Sequence, residues 1–382
     1  MTASVKAASA SKLEAIQLLR ALAASMVVVG HLIGTVEHRP DLFGPVIEAR
    51  YAGGAGVDVF FLISGFIMVF ASRRMFGSVA GARDFMLRRL VRIAPLYWAT
   101  TALALALLML KGAAPDGRAI AASFGFIPYE VGGLGNGFAF PIVDLGWTLN
   151  YEMMFYVLFA LFIPLGRQRA VIGLGATMLT IVVLGAIFKP GYVALRFWSQ
   201  PIILEFVLGT LIALAYGAGR LRLSPLVRVT LVACAAAVYL YDPCGLMGRP
   251  VTPNGIERVI GWGLPSMLIL IAAIAGETPL HSRIARMGVL LGDASYALYL
   301  LHPFVIAAMI RVARLPLFSA PGGGVAFVVM TGVAACIGAV VVHTWVERPV
   351  TTWLTRRLQR AGAPITAVPI VPAAGSPPPP GR

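Results

Sequence analysis

The sequence predicts an all-α fold, a polytopic integral membrane bundle of helices, and three features of the chain predict it. Of the 382 residues, 59% are hydrophobic and only 12% are charged, whereas soluble domains carry about 25% charged residues. The apolar residues fall into long runs, and about 20 such residues span the roughly 30 Å of bilayer hydrocarbon as a helix. No long stretch has a globular composition, so a separate soluble domain is not expected.

We expect about ten transmembrane helices, joined by loops that hold most of the charged residues. The expected spans are 13–35, 56–72, 94–111, 145–165, 170–188, 199–217, 229–242, 258–275, 288–310 and 324–346. With an even number of spans, both termini lie on the side that carries most of the 31 Lys and Arg residues, and that side should be the cytoplasm. The net charge of +15 is therefore attributed to orientation and to anionic lipid headgroups, and not to nucleic acid.

The chain divides into three regions. Residues 1–12 are predicted to be a cytoplasmic N-terminal segment, and 13–350 the transmembrane domain. Residues 351–382 form a tail that is first basic and then rich in Pro, Ala and Gly, a composition typical of disorder. The three cysteines have spacings that suit neither a disulfide framework nor a metal site, so no bound metal is expected.

The first span carries two ionisable residues, Arg20 and His31. They are eleven positions apart, so both lie on one helical face, about 16 Å apart in depth. Ionisable groups inside a membrane usually mark a functional cavity. A cation near the cytoplasm and a titratable base nearer the outer face suggest a path for a substrate with an anionic end. The alternative is a snorkelling Arg20 and a His31 that bonds to a neighbouring helix.

A basic segment with the sequence RRLVRIAPLYW leads into the third span. Arg89 and Arg92 are spaced i, i+3 on one helical face, and Arg88 adjoins them. Guanidinium groups at this spacing can grip phosphates bidentately, so the three are candidate phosphate ligands. The alternative is the arginine excess of any cytoplasmic loop.

Later spans add polar residues at intramembrane positions. Glu152, near the start of the fourth span, is expected at the level of His31, where a carboxylate would orient the imidazole. Its alternative role is a structural pairing with an arginine. In the ninth span, Ser295, Tyr299 and His302 follow i, i+4, i+7 and form a polar stripe of the kind that lines a cavity.

Eight residues in all are predicted to line a cavity in the bundle. They are Asp58, Ser64, Trp147, Asn150, Glu205, Ser295, Tyr299 and His302. Asp58 stands at a membrane end, where it could also cap or pair, and for Ser64 close helix packing is the alternative role.

These motifs occur in an order that resembles one family. They are Arg20 and His31, the SGF of the second span, RRLVRIAPLYW, WTLNYEMMFY, LEFVLG, SYALYLLHP and a final ERP. Over roughly 13–350 the chain is similar to the membrane acyltransferase-3 family, and within it to the exopolysaccharide-production acyltransferases. Many members read WSLSVEE where this chain has WTLNYEM, so Glu152 is kept and a second acid is replaced by Met153.

The resemblance implies a ten-helix enzyme of the bacterial inner membrane that moves an acyl group, most commonly acetyl, from cytoplasmic acyl-CoA to an extracytoplasmic sugar hydroxyl. It implies that Arg20 and His31 are the essential pair and that Arg89 and Arg92 match a basic RxxR motif. Acyl-CoA is then a co-substrate, and no cofactor is bound. The implied partners are a polysaccharide or lipid-linked oligosaccharide acceptor, membrane lipid and the polysaccharide-synthesis machinery.

The residues are accordingly given two roles: catalysis for His31, Arg20 and Glu152, and acyl-CoA binding for Arg88, Arg89 and Arg92. The pantetheine arm is roughly 15–20 Å long, comparable to the depth between Arg20 and His31. His31 is either a general base for the sugar hydroxyl or the carrier of the acyl group. The alternative function is a transporter of a polysaccharide intermediate, in which the same residues would line a permeation path.

Overall fold

The structure, a computed structural model, is almost entirely helical. It describes residues 3–44, 51–130, 139–247, 254–276, 282–314, 318, 320 and 322–361, with the backbone alone for 3–13. The model is 81% helical and has no strand in the described residues, which confirms the all-α fold class. The predicted Pro-rich tail lies outside the described residues.

The helices follow one another along the chain with short connections. They are α1 (Ala3–Glu37), α2 (Pro40–Phe43), α3 (Ala55–Ala71), α4 (Val79–Leu110), α5 (Gly117–Phe124), α6 (Trp147–Phe162), α7 (Arg167–Phe188), α8 (Val193–Trp198), α9 (Leu204–Gly217), α10 (Pro225–Tyr241), α11 (Ile256–Arg258), α12 (Leu264–Ile274), α13 (Arg283–Asp293), α14 (Ser295–Val312), α15 (Gly323–Val342) and α16 (Arg348–Arg360). A 3-10 turn, Asp144–Gly146, leads into α6, and the π-helical segments Val259–Gly263 and His343–Glu347 continue α11 into α12 and α15 into α16.

Length and composition make seven helical segments of the described chain able to cross a membrane. They are Glu14–Glu37, Val79–Leu110, Asp144–Leu165, Arg167–Phe188, Ile256–Ile274, Ser295–Val312 and Gly323–Arg360. Three shorter apolar segments, Ala55–Ala71, Pro201–Gly217 and Pro225–Tyr241, coincide with the second, sixth and seventh expected spans. The chain is therefore a multi-pass membrane protein, while the number of ten spans and the cytoplasmic termini stay predictions.

The third span begins earlier than expected. α4 starts at Val79 rather than at 94, so the basic residues predicted to precede the span lie on the helix itself. Ser78 caps this start, since its hydroxyl accepts from the Gly81 N–H at 3.0 Å. Pro95 lies inside the helix without ending it. The arginines are thus carried on a continuous helix that enters the bundle.

The ninth expected span, 288–310, is two helices. The amphipathic α13 ends at Asp293 and the apolar α14 begins at Ser295, with Ala294 between them. The expected span therefore ran across a junction, because both helices contribute apolar residues to it. The break places Ser295 at the first position of α14, within reach of the first span.

The bundle is arranged around α1, which contacts α3, α12, α13, α14 and α15. Small residues allow the helices to approach closely. A Cβ at Gly56 would collide with the carbonyl oxygen of Ala23, and one at Gly65 with that of Phe206. This close packing holds the polar face of α1 against its neighbours rather than against lipid.

Candidate active site

Two histidines meet where α1 and α14 pack together. The Nδ1 of His31 lies 3.2 Å from the Nε2 of His302 and 3.0 Å from the carbonyl oxygen of Val27. The Nδ1 of His302 lies 3.0 Å from the carbonyl oxygen of Leu298. His302 is fully buried, whereas His31 is exposed to a cavity. His302 therefore stands behind the imidazole of His31.

These contacts determine which ring nitrogens carry protons when both imidazoles are neutral. A carbonyl oxygen only accepts, so His302 donates its Nδ1–H to Leu298 and its Nε2 is an acceptor. The Nδ1 of His31 faces two acceptors, the Val27 carbonyl and this Nε2, so it carries the proton. The Nε2 of His31 is then an unprotonated base, and it has no hydrogen-bond partner among the described residues.

The second polar residue of α1 is also held by α14. Arg20 donates to the hydroxyl oxygen of Ser295 from Nε at 3.1 Å and from Nη2 at 2.9 Å. The pair of contacts, Arg20 with Ser295 and His31 with His302, follows both helices in the same direction. The structure thus brings the predicted polar stripe of the ninth span against the predicted face of the first.

A cavity of about 410 Å³ lies in front of His31. Its aromatic lining residues are Tyr51, Phe140, Trp147, Phe197, Trp262 and Tyr299, and its other polar lining residues are Asp144, Asn254 and Arg258. The hydroxyl of Tyr299 hydrogen-bonds the Thr148 hydroxyl at 3.0 Å, which fixes the ring at the cavity wall. Trp147 and Tyr299 thus line a cavity as predicted from the sequence.

The other six predicted lining residues do not line this cavity. They are Asp58, Ser64, Asn150, Glu205, Ser295 and His302. Most of them are engaged or enclosed by neighbouring helices, because a polar side chain that faces the interior of a bundle is usually satisfied there. Asn150 and Glu205 are fully buried without a hydrogen-bond partner for their side-chain polar atoms.

The wall of the cavity contains a buried ion pair that the sequence did not reveal. Arg258 donates to Asp58, with its Nη2 at 2.8 Å from Oδ2, and both residues are almost fully buried. Its other nitrogen atoms bond the same carboxylate and Asn254, and Nη2 also donates to the Gly54 carbonyl at 3.1 Å. The guanidinium lies over the ring of Trp262, with 5.1 Å between its carbon and the ring centroid. An unexplained acid at the start of the second span was the available signal, since a buried carboxylate needs a cation.

Glu152 is not beside His31, contrary to the expectation. Its carboxylate accepts from the Ser64 hydroxyl at 3.0 Å and from the Tyr156 hydroxyl. It does not line the cavity, and no hydrogen bond joins it to His31. Glu152 lies one and a half turns into α6, so the side chain is deeper than the start of the span and acts electrostatically on Arg20 instead.

The three candidate phosphate ligands differ from one another. Arg88 is taken by Asp84, whose carboxylate accepts at 2.7 and 3.0 Å, so the expected role in acyl-CoA binding is not available to it. Arg89 lies against the rings of Phe85 and Tyr156, and its Nε is buried without a partner.

Arg89 and Arg92 form no ion pair in the part of the chain that the structure describes. Together with Arg20 they form an inner arginine cluster, in which Arg92 acts electrostatically on both other members. None of the three lines the cavity in front of His31.

Comparisons with known proteins give consistent results. Residues 13–344 match the Acyltransferase domain family Acyl_transf_3. The chain is 33% identical over 305 residues to the exopolysaccharide production protein ExoZ of Rhizobium meliloti (strain 1021), which covers 78% of this chain and 89% of that protein. It is 27% identical over 346 residues to the acyltransferase MdmB of Streptomyces mycarofaciens, covering 82% of this chain and 84% of that protein. No solved structure matches the chain.

Proposed function

The chain belongs to the Acyl_transf_3 acyltransferase family, and we propose that it transfers an acyl group, acetyl in the first instance, from cytoplasmic acyl-CoA to a hydroxyl of an extracytoplasmic polysaccharide or its lipid-linked precursor. The observation that carries the proposal is the imidazole of His31. Its Nδ1 is held by two acceptors, and its Nε2 is left as a free base on a ring that lines a cavity. Family membership favours this enzyme over the transporter.

The inner arginine cluster, Arg20, Arg89 and Arg92, is the proposed site for the phosphates of acyl-CoA. Its guanidinium groups lack carboxylate partners among the described residues, and phosphates would supply the missing negative charge. The excess of Lys and Arg on the same side favours a cytoplasmic donor.

The proposed reaction is a direct transfer. The Nε2 of His31 takes the proton of the acceptor hydroxyl while that oxygen attacks the thioester carbonyl. As the tetrahedral intermediate collapses, the C–S bond breaks and the imidazolium returns the proton to the departing thiolate, which yields the ester and free CoA. General-base help of this kind is worth about 10²- to 10⁴-fold in rate.

The thioester must pass from the arginine cluster to the cavity for this reaction. The residues of α1 between the two, Ala23 and Ala24, are completely buried, so the cavity does not continue along this face. We therefore propose that α1 and its neighbours separate slightly when the pantetheine arm enters. The acceptor approaches from the outer side, and the setting is the inner membrane beside the polysaccharide-synthesis machinery.

A reconstitution of purified protein in lipid vesicles tests the proposal. With labelled acetyl-CoA and polysaccharide from a strain that lacks the gene, the wild type should transfer label to the polysaccharide. His31→Ala should lower the rate by about 10²- to 10⁴-fold, because the base is removed. His38→Ala is the matched control, since His38 lies on the same helix and bonds only the Gly34 carbonyl. Normal transfer by His31→Ala, in protein of unchanged thermal stability, contradicts the assignment.

A further inference from the structure

The cavity in front of His31 has a lining whose chemistry is more specific than a generic acceptor site. We propose that it is a subsite for a single uncharged sugar residue of the acceptor, and that Asp144 excludes acidic sugars. This inference rests on the proposed function and goes beyond it, because it names the class of sugar.

The size of the cavity sets the first limit. At about 410 Å³ it falls within the roughly 300–1,000 Å³ of small-molecule sites, so it accommodates one sugar residue and not a folded length of polysaccharide. The reactive nitrogen of His31 lies at its wall, which means that the enclosed residue is the one whose hydroxyl is acylated.

The aromatic lining sets the second limit. Trp147, Trp262 and Tyr299 contribute ring surfaces to the wall. The faces of aromatic rings carry partial negative charge, and the C–H groups of a pyranose ring carry partial positive charge, so the two stack favourably. An anionic substituent gains nothing from such a surface.

The balance of charge decides between neutral and acidic sugars. Arg258 is the cationic residue among the described lining residues, and its charge is neutralised by Asp58 at 2.8 Å while its nitrogens are all engaged. Asp144 also lines the cavity, is exposed to it, and has no hydrogen bond or ion pair in the described structure. The wall therefore presents one uncompensated negative charge.

A free carboxylate at a cavity wall can accept hydrogen bonds from two neighbouring hydroxyls of a sugar. The same carboxylate repels a uronic acid or another anionic sugar, and repulsion between like charges is strong where water is excluded. Asp144 is thus assigned the roles of binding a neutral ring and of rejecting a charged one.

Matched sugar pairs test this inference in the vesicle assay. The probes are p-nitrophenyl glucoside and galactoside with the corresponding glucuronide and galacturonide, used as acceptors and as inhibitors of polysaccharide acetylation. For the wild type, at least one neutral probe should be accepted or should inhibit at a concentration at least tenfold lower than its uronate. For Asp144→Asn, this preference should fall at least tenfold, with the effect on KM or inhibition constant and little effect on kcat.

Two variants separate the charge from the fold. Asp144→Glu keeps the carboxylate and should keep the preference for the neutral probe. Asp41→Asn removes another acid from the outer loops, one that pairs with Arg39 at 2.7 Å outside the cavity, and should change neither preference nor KM.

The outcomes distinguish this inference from the proposed function. If the wild type labels polysaccharide but treats neutral and acidic probes alike, binds no neutral probe, or prefers the uronate, the neutral-sugar subsite is refuted and the acyltransferase stands. An unchanged preference in folded Asp144→Asn refutes the role of Asp144. If the wild type transfers no label to polysaccharide, the proposed function fails, and the subsite fails with it.

Discussion

Two regions of the bundle hold buried guanidinium groups, and they treat them in opposite ways. Beside the outer cavity, Arg258 has a carboxylate at 2.8 Å and partners on every nitrogen. In the inner arginine cluster, Arg89 has a buried Nε without a partner, and Arg92 has no ion pair among the described residues. The outer charge is satisfied by the protein, whereas the inner charges are left for a ligand to satisfy.

This difference separates structure from binding. A buried cation that lacks a partner is costly, so its persistence indicates that an anion binds there during the functional cycle. A buried cation with a complete set of partners stabilises one arrangement of helices, in this case the approach of α11 to α3. Equal residue types therefore predict unequal consequences when they are replaced.

The largest effect is expected on the stability of the outer region. Asp58→Ala leaves the guanidinium of Arg258 buried and unpaired, which costs about 3–5 kcal/mol. The thermal midpoint of the protein in detergent, followed by loss of the monodisperse chromatographic peak, should fall sharply. The double variant Asp58→Ala with Arg258→Met removes both charges and should recover more than half of the loss. A double variant that is no more stable than the single one contradicts the pairing.

A smaller effect, on binding rather than stability, is expected in the inner region. Each hydrogen bond to a charged group contributes about 1.5–3 kcal/mol, and about 1.4 kcal/mol is a factor of ten. Arg89→Gln and Arg92→Gln should each raise the KM for acyl-CoA about tenfold and leave the KM for the sugar acceptor unchanged. Transfer rates at varied donor concentration measure this.

Arg88→Gln provides the matched control for the inner region. Arg88 adjoins Arg89 in the chain but is bound to Asp84, so its replacement should change the donor KM by less than about twofold and act on stability instead. If all three variants raise the donor KM alike, the distinction between paired and unpaired arginines does not hold.

The sequence was sufficient to predict features that depend on the period of one helix. The shared face of Arg20 and His31 and the stripe of Ser295, Tyr299 and His302 follow from 3.6 residues per turn alone. The structure places these two faces in contact, because both are the polar faces of apolar helices and only another polar face satisfies them.

Features that depend on which helices are neighbours were not predictable in this way. Asp58 and Arg258 are 200 positions apart, and nothing in the spacing links them. Glu152 was assigned to His31 because both lie on spans that were expected to reach the outer face, yet depth does not determine the side to which a residue points. The side chain of Glu152 points towards Ser64 and Tyr156, and His302 holds the position expected for it.

The smallest effect is expected for His302, which makes the outer region's contribution to catalysis through His31. His302→Leu removes one of the two acceptors of the His31 Nδ1–H, while the Val27 carbonyl continues to hold the proton on that nitrogen. The imidazole therefore keeps its tautomer and loses orientation, so kcat should fall about tenfold, less than the loss from removing the base itself. The KM values for donor and acceptor should stay within about twofold of wild type. His302→Asn restores an acceptor at this position and should recover most of kcat, whereas equal losses in the Leu and Asn variants would assign His302 to packing alone.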